Sequence, residues 1–168
     1  YDPDNLSGSL DLTSVKENNP DIILLLSVSE AGAVVEMIRN NNISTPLVGT
    51  RVIERNTLLE SPVTEGLIFT TPALNRSEPF FSRYREKYGE EATFYGAEGY
   101  DAMTILYDAV QACGDDQKCL SSWFTEKEYP GSLGDVRFDE NRVAYYPLEF
   151  KIIRNGTFEQ YEWMMQDQ

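Results

Sequence analysis

Short apolar runs alternate with an amphipathic segment over the first 70 residues of the chain. Ile22 to Leu26 is wholly apolar, as is typical of a strand buried on both faces of a parallel sheet, and further short strands are predicted at 47–50 and 65–70. A helix is predicted to begin at Ser29, because four apolar side chains follow at the spacing of one helical face: Ala31, Val34, Val35 and Ile38. This alternation of strand and helix indicates an α/β domain with a parallel sheet.

The pattern becomes helical after Thr71-Pro72. One helix is predicted to begin near Ser77 and to end at Gly89, and its apolar side chains are Phe80, Phe81, Tyr84 and Tyr88. A longer helix is predicted from about Ala97, with an apolar stripe formed by Tyr100, Met103, Leu106, Tyr107 and Val110. No strand is predicted between these helices, so we expect their apolar faces to cover a sheet elsewhere in the protein or in another chain.

The last part of the chain has the pattern of β-structure. A short strand is predicted at 136–138, and apolar side chains then alternate with others at a period of two: Tyr146, Leu148, Phe150 and Ile152. Asn155-Gly156 is a strong signal for a hairpin turn, after which the chain is predicted to return as a strand from Thr157.

The composition excludes several classes of partner. The 168 residues carry a net charge of −14 and contain no histidine, so binding to nucleic acid or to an anionic membrane through clusters of lysine and arginine is not expected. No apolar run approaches the roughly 20 residues that span a bilayer. No signal peptide begins at Tyr1, so we expect that it was removed or that the chain starts within a longer protein.

Two cysteines, Cys113 and Cys119, lie on either side of a turn predicted at Gly114. A turn at this position can bring the two sulfur atoms within bonding distance. We predict a local disulfide, and the alternative is a pair of free thiols. With no histidine and no other cysteine, the chain lacks the ligands of a structural zinc site, and no cofactor is expected. Because disulfides persist in oxidising compartments, a disulfide would imply an extracytoplasmic setting.

The sequence carries no signature of catalysis. It has no Gly-x-Ser-x-Gly motif, no phosphate-binding P-loop and no histidine for a catalytic triad. We therefore expect a binding protein and not an enzyme.

An ordered set of local motifs resembles one protein family. The segments that carry the resemblance are Asn19–Ile23, Pro46–Thr50, Glu65–Thr70, Tyr84-x-x-x-Tyr88-Gly89, Gly99–Ala102 and the closing run from Gly131 to Asn141. In this order they cover nearly the whole chain. They are similar to the carboxyl-terminal half of type I periplasmic solute-binding proteins, of the kind that binds leucine, isoleucine and valine.

The resemblance implies a fold of two α/β lobes that are joined by three strand crossings and hold a solute between them. It assigns 1–71 to the three-layer, parallel-sheet second lobe and 72–134 to a helical segment of the first lobe. It assigns 135–168 to a crossover strand and the closing β-hairpin of the second lobe. The sheet of the first lobe is expected upstream, so the chain alone is expected to bind solute weakly, and a homodimer is one way to cover its helices.

The family also implies a function. The chain is expected to belong to the extracytoplasmic receptor of an ABC importer, either periplasmic or anchored at the cell surface. Its expected partners are a small solute, such as an amino acid or a small carboxylate or amide, and the membrane permease. The alternative is the ligand-sensing ectodomain of a signalling receptor with the same fold.

Candidate ligand-binding residues follow the predicted strands, because ligands of open parallel sheets bind beyond the carboxyl ends of the strands. Ser27 and Ser29 follow the first strand, and Thr50 and Arg51 follow the second. The alternatives are that the serines only cap the next helix, and that Arg51 is a solvated loop residue. The resemblance places Arg51 at or near the position where amino-acid binders hold the α-ammonium group with an acidic side chain, whereas an arginine favours a carboxylate or another anion.

Three residues near the start of the long helix are interpreted differently from one another. Tyr95 is predicted to cover the ligand, as aromatic rings often do in clefts. Tyr100 is predicted to be a core residue, because it lies on the apolar stripe. Asp101 is predicted to stabilise the first turn of the helix through the helix dipole.

Overall fold

The computed structural model describes residues 2, 5–27 and 29–162. Its helices are α1 (Leu6–Ser9), α2 (Thr13–Asn18), α3 (Ala31–Asn40), α4 (Pro79–Tyr88), α5 (Phe94–Cys113) and α6 (Gln117–Trp123). Its strands are β1 (Ile23–Leu25), β2 (Leu47–Gly49), β3 (Ile68–Pro72), β4 (Tyr129–Gly131), β5 (Gly134–Phe138), β6 (Ala144–Tyr145), β7 (Leu148–Arg154) and β8 (Thr157–Tyr161). Short 3₁₀ turns lie between β2 and β3, at Arg51–Ile53, Asn56–Leu58 and Pro62–Thr64.

The chain divides into two compact units. The first, called the sheet unit below, contains the described residues up to Thr71 and those from Glu149 onward. The second, called the helical unit, is Pro72–Leu148. The predicted segment 135–168 is thus divided between the two units at Leu148. The assignment of the units to the two lobes of a longer protein stays a prediction.

The sheet unit contains a sheet with the strand order β1-β2-β3-β7-β8. The strands β1, β2 and β3 are parallel, with Ile23 opposite Leu47 and Val48 opposite Ile68. The strands β7 and β8 form an antiparallel hairpin that turns at Asn155-Gly156. Both turn residues have positive φ, which asparagine and glycine tolerate best. The predicted parallel strands and the predicted hairpin are therefore confirmed.

The core of the sheet unit lies between α3 and the sheet. The four apolar residues predicted on one face of α3 are all buried, and they pack with Leu25, Leu47 and Phe69. The ring of Phe69 also meets that of Phe158 edge to face at 5.5 Å, which fastens β8 into the same core. The hydrophobic pattern of the sequence therefore predicts both the helix and its buried side.

The helical unit has its own sheet, which the sequence did not predict. β4, β5 and β6 form an antiparallel three-stranded sheet, and its side chains Tyr129 and Val136 join Phe80 and Phe81 in one core. The expectation that Phe80 and Phe81 lack a sheet in this chain was wrong. Of the strands in this sheet, only β5 was expected, as the short strand at 136–138, whereas β4 and β6 were missed because β4 contains Pro130 and Gly131 and β6 has only two residues.

The predicted apolar stripe of the long helix is not its buried face. α5 begins at Phe94, where the Thr93 side chain caps it, and it buries Ala97, Asp101, Ile105 and Ala109. Met103 and Tyr107 are 65% and 63% exposed, and Leu106 and Val110 are also exposed. Ala97 and Ile105 share a core with Tyr129 and Val136 of the sheet, whereas the larger side chains of the predicted stripe remain largely outside that core.

The predicted disulfide is present. Cys113, the last residue of α5, is bonded to Cys119 in α6. Gly114 follows α5 with positive φ, and the Asp116 carboxylate accepts hydrogen bonds from the backbone N–H groups of Lys118 and Cys119. Gly114, the Asp116 cap and the disulfide thus all stabilise the connection between α5 and α6.

Candidate functional site

Two neighbouring parallel strands bring four of the predicted site residues to one edge of the sheet. β1 and β2 are in register at Leu25 and Gly49, so the segments that follow them leave the sheet side by side. Ser27 and Ser29 belong to the first segment, and Thr50 and Arg51 belong to the second. We call these four residues the strand-end edge.

The hydroxyl group of Ser27 is buried. Its residue is only 4% exposed, and among the described residues no atom forms a hydrogen bond with its Oγ. Leaving a buried polar group unsatisfied costs about 1–3 kcal/mol, so such a group is uncommon without a reason. A ligand that donates or accepts one hydrogen bond would remove this cost.

The two serines do not cap α3. The N-cap residue is Glu30, and no side chain makes the capping hydrogen bond. Ser29 is exposed, and its Oγ donates to Glu30 Oε2 at 3.2 Å. Helix capping, the alternative explanation for these serines, is therefore not what the structure contains.

Ser27 also lines a groove of about 300 Å³ in the sheet unit. The rest of the groove is formed mainly by aliphatic side chains, including Leu24 of β1, Val34 of α3 and Leu12, which precedes α2. The unpaired hydroxyl is thus a polar group in largely apolar surroundings, an arrangement that is common where small molecules bind.

The Arg51–Ile53 turn presents Arg51 from a well-fixed backbone. The Ile53 N–H donates to the Thr50 carbonyl at 3.0 Å, and the Glu54 N–H donates to the Arg51 carbonyl at 3.1 Å. The Ile53 side chain is fully buried and fills the space beside Gly49, where an added Cβ would lie 2.0 Å from Ile53 Cδ1. Glycine at position 49 therefore lets the turn pack against the strand that it follows.

Glu54 follows the Arg51–Ile53 turn. Its side chain belongs to a polar cluster that was not predicted from the sequence. Its Oε1 lies 2.5 Å from Lys151 Nζ, and its Oε2 accepts a hydrogen bond of 2.6 Å from the Thr71 hydroxyl. Glu149 lies 3.7 Å from the same lysine. The Glu54 and Lys151 side chains are only 21% and 20% exposed. No local pattern in the sequence indicates this cluster, since Glu54 and Lys151 are 97 residues apart along the chain.

Tyr95 and Tyr100 both belong to α5 in the helical unit, so neither is part of the strand-end edge. Tyr95 is about half exposed, and its ring centroid lies 4.0 Å from that of Phe94. Tyr100 stacks on Phe80 at 4.5 Å, and its hydroxyl accepts a hydrogen bond from Arg83. Tyr100 therefore has a packing role, as predicted, while the ligand contact of Tyr95 stays a prediction.

Asp101 does not lie in the first turn of its helix, so the predicted role was wrong. It is buried in the interior of α5, two turns beyond the N-terminus. Its carboxylate accepts hydrogen bonds from the Ser132 N–H and hydroxyl, at 3.0 and 2.7 Å, and from the Leu133 N–H at 2.8 Å. Asp101 therefore fastens the β4–β5 turn to α5.

The described residues contain neither a metal-binding cluster nor a membrane-spanning helix. Residues 2, 5–27 and 29–162 contain no cluster of three or more histidine, cysteine, aspartate or glutamate side chains that could hold a metal ion. Within the same ranges, no helix is both long and apolar enough to cross a bilayer.

A sequence model of one family, described as periplasmic binding protein, matches residues 11–150. The chain belongs to the periplasmic binding protein family. The match includes the strand-end edge, the Glu54 turn and the whole helical unit. It confirms the fold class predicted from the sequence, a parallel-sheet α/β lobe of the type I kind. Comparison with curated protein sequences finds no match.

Solved structures of the same fold cover almost the whole chain. An extracellular ligand binding receptor from Desulfohalobium retbaense has 33% identity and a TM-score of 0.80, over 97% of this chain and 30% of that one. The leucine binding protein LivK from Thermotoga maritima has 26% identity and a TM-score of 0.77, over 96% of this chain and 48% of that one. A putative branched-chain amino acid ABC transporter from Rhodospirillum rubrum has 25% identity and a TM-score of 0.71, over 89% and 47%. The chain thus spans half or less of the length of these proteins.

Proposed function

We propose that this chain is the ligand-capturing part of an extracytoplasmic solute-binding protein that serves an ABC importer. The observation that carries the proposal is the strand-end edge. There, a buried unpaired hydroxyl at Ser27 and a cation at Arg51 follow two adjacent parallel strands in a chain of the periplasmic binding protein family. Ligands of such sheets bind at this edge.

The solute we propose is small and polar, such as an amino acid or a small carboxylate or amide. Ser27, Ser29, Thr50 and Arg51 would contact it from the sheet unit, and Tyr95 would supply an aromatic contact from the helical unit. The sheet unit would belong to the second lobe of the complete protein, and the helices of the helical unit to the first. The remaining contacts would come from the half of the fold that this chain does not span.

A thermal-shift screen of the full-length gene product against amino acids, small carboxylates and amides tests the proposal. A solute at a hundredfold excess over its Kd stabilises the folded protein by about 2.7 kcal/mol, which is easily detected. We expect at least one solute to raise Tm without being consumed. Turnover of a solute, or a folded protein that no solute stabilises, would contradict the proposal.

A second candidate function is the ligand-sensing ectodomain of a signalling receptor. It is favoured by the similarity to the Desulfohalobium protein, which is described as an extracellular ligand binding receptor and is much longer than this chain. The two functions share the same ligand site. Reconstitution of the full-length protein with its permease separates them, because only the importer component would stimulate uptake of the solute.

A further inference from the structure

The hairpin turn between β7 and β8 combines two groups that can react with each other. Asn155 is the only asparagine in the sequence that precedes a glycine, and both turn residues are exposed. A backbone nitrogen that follows an asparagine can attack the side-chain amide carbon of that asparagine. Glycine hinders this attack least, because it has no side chain.

Hydrogen bonding at the turn holds the asparagine but not the glycine. The Asn155 N–H donates to both carboxylate oxygens of Glu65, at 3.0 and 3.2 Å. Among the described residues, none accepts a hydrogen bond from the Gly156 N–H, and none bonds to the Asn155 side-chain amide. The contact that anchors the turn therefore leaves the two reacting groups to solvent.

Other exposed asparagines lack this arrangement. Asn42 also has positive φ, at 58°, but the next residue is the buried Ile43, whose N–H donates to the Ile38 carbonyl at 3.3 Å. The N–H groups that follow Asn75 and Asn141 donate to backbone carbonyls, both at 2.9 Å. A backbone nitrogen whose N–H is already bonded must first give up that bond, so Asn155 is the most reactive of these four asparagines.

We propose that Asn155 is a site of self-modification, at which the Gly156 nitrogen converts the asparagine into aspartate and isoaspartate. The nitrogen bonds to Cγ of Asn155, the bond from Cγ to Nδ2 breaks, and the proton of the Gly156 N–H leaves with Nδ2 as ammonia. Water then opens the resulting cyclic imide. Cleavage of its bond to Cγ gives aspartate, and cleavage of its bond to the main-chain carbonyl carbon gives isoaspartate. The reaction needs no reactant besides water, and it is independent of the proposed function.

Both products would weaken the hairpin. Aspartate adds a negative charge close to the Glu65 carboxylate, which is bonded to the backbone of the same residue, and like charges repel. Isoaspartate lengthens the main chain of a two-residue turn, and the length of such a turn sets the register of the strands that it joins. Since β8 supplies Phe158, which meets Phe69 in the core, a shift of register would lower the stability of the sheet unit.

Incubation of the folded full-length gene product at pH 8, followed by peptide mapping, tests the proposal. Mass spectrometry detects the replacement of the amide by a carboxylate, and methyl transfer by an isoaspartate-specific methyltransferase distinguishes isoaspartate from aspartate. We expect Asn155 to convert about ten times faster than Asn42, Asn75 and Asn141, because only Asn155 precedes a glycine. Equal rates at the four positions, including no conversion at any of them, would overturn the proposal.

Gly156→Asn tests the role of the glycine. Asparagine tolerates positive φ, so the hairpin should persist while the conversion of Asn155 slows severalfold. A Cβ at position 156 lies 3.3 Å from the Leu59 carbonyl oxygen, so circular dichroism is used to check folding. A folded variant in which Asn155 converts as fast as in the parent would overturn the role of Gly156. If the variant does not fold, the four asparagines of the parent decide the matter.

Arg76→Gly separates the effect of the turn from that of the dipeptide. It gives the exposed Asn75 a following glycine at a position whose N–H donates to the Leu74 carbonyl. We expect Asn75 in this variant to convert more slowly than Asn155 in the same molecule. An equal or faster conversion of Asn75 would show that the dipeptide alone sets the rate and would overturn the role of the turn.

Thermal unfolding of fresh and incubated protein tests the effect on the hairpin. We expect incubation to lower the Tm of the parent, and fresh Asn155→Asp to reproduce only part of that fall, because it carries the new charge without the longer main chain. Incubated Gly156→Asn is the control and should keep its Tm. A parent whose Tm is unchanged after conversion of Asn155 would overturn the effect on the hairpin.

Discussion

At the scale of single residues, the buried carboxylate of Asp101 holds the helical unit together. It is the sole acceptor described for the Ser132 and Leu133 N–H groups, so two backbone donors depend on it. It also accepts the Ser132 hydroxyl, which has the Ala97 carbonyl as a second acceptor at 3.2 Å. It links α5 to a turn about 30 residues further along the chain, a contact that no local pattern reveals. Gly131 is part of the same arrangement, because a Cβ there would lie 2.7 Å from the Asp101 carboxylate.

Replacing Asp101 with alanine is expected to lower the free energy of unfolding by about 3 kcal/mol, because buried donors are left unsatisfied. Urea unfolding of the purified chain measures this change. Asp108→Ala on the exposed side of the same helix is the control and should stay within about 0.5 kcal/mol of the parent. Equal effects for the two variants would show that the buried hydrogen bonds contribute little.

Asp139 gives a prediction about pH. Its carboxylate accepts hydrogen bonds from the Val143 and Asn141 N–H groups, both at 2.9 Å, and from the Tyr145 hydroxyl. The hydrogen bond from Val143 is the main cause of a lowered pKa at Asp139. A lowered folded-state pKa contributes stability above the ordinary aspartate pKa of about 4, and this contribution is lost as the pH falls through the lowered value.

Asp139→Asn is therefore expected to be less stable than the parent protein at pH 6, with a difference that shrinks as the pH falls below about 4. Denaturant unfolding at a series of pH values between 6 and 2 measures the difference. A difference that stays constant down to pH 2 would mean that the charge of Asp139 does not stabilise the turn.

At the scale of secondary-structure elements, three features within seven residues stabilise the connection between α5 and α6. Gly114 ends α5 with positive φ, Asp116 caps α6, and the disulfide joins the two helices. We expect replacement of both cysteines by serine to lower the free energy of unfolding by about 2 kcal/mol, because the reduced unfolded chain is less constrained. Thermal unfolding with and without reducing agent tests this prediction.

The serine variant supplies its own control for that measurement. Reducing agent should lower the Tm of the parent protein and leave the Tm of the variant unchanged. Mass spectrometry of the unreduced parent after alkylation should show no modified cysteine. Two alkylated thiols would contradict the disulfide directly.

The sequence predicted those elements whose pattern is both regular and local. The parallel strands β1 to β3, the buried face of α3 and the Asn155-Gly156 turn were all expected from periodicity and turn chemistry. The buried face of α5 was not predicted. Periodicity reveals an apolar stripe on a helix, but it does not show whether other residues of the same chain cover that stripe. Of the antiparallel strands of the helical unit, only β5 was expected, because β4 contains a proline and a glycine and β6 has only two residues.

In the candidate site, too, the sequence predicts features that follow from a general rule and misses contacts between residues that are distant along the chain. Ser27, Thr50 and Arg51 were predicted because a general rule places ligands at the ends of parallel strands, and their contact with a ligand stays a prediction. The pairing of Glu54 with Lys151 and Thr71 could not be predicted, because it joins the end of a 3₁₀ turn to residues of β7 and β3 that lie 97 and 17 positions away along the chain. The unpaired state of the Ser27 hydroxyl likewise depends on packing around it.

At the scale of the whole molecule, the chain exposes apolar surface that a complete family member would be expected to cover. Met103 and Tyr107 on α5, and Leu24 and Leu26 at β1, are all at least 60% exposed. Large apolar patches rarely stay exposed on monomeric proteins. The comparisons do not support a dimer, so the homodimer of this chain stays a prediction.

Light scattering of the isolated 168-residue chain tests that prediction. We expect a concentration-dependent mass above that of a monomer, and we expect Met103→Gln combined with Tyr107→Gln to reduce it. Val143→Gln, at another exposed apolar residue of the same unit, is the control and should have no effect. A monomer at all concentrations would show that the exposed stripe does not associate.

The central claim is that the strand-end edge binds a solute, and calorimetric titration of the full-length gene product and its Arg51→Ala variant tests it most directly. The titrant is the solute that gives the largest thermal shift. The predicted result is saturable binding by the parent and an affinity at least tenfold lower in the variant, since loss of a charge-assisted hydrogen bond costs about 1.5–3 kcal/mol. Equal affinities for parent and variant would contradict the account, because Arg51 would then be a surface residue outside the site.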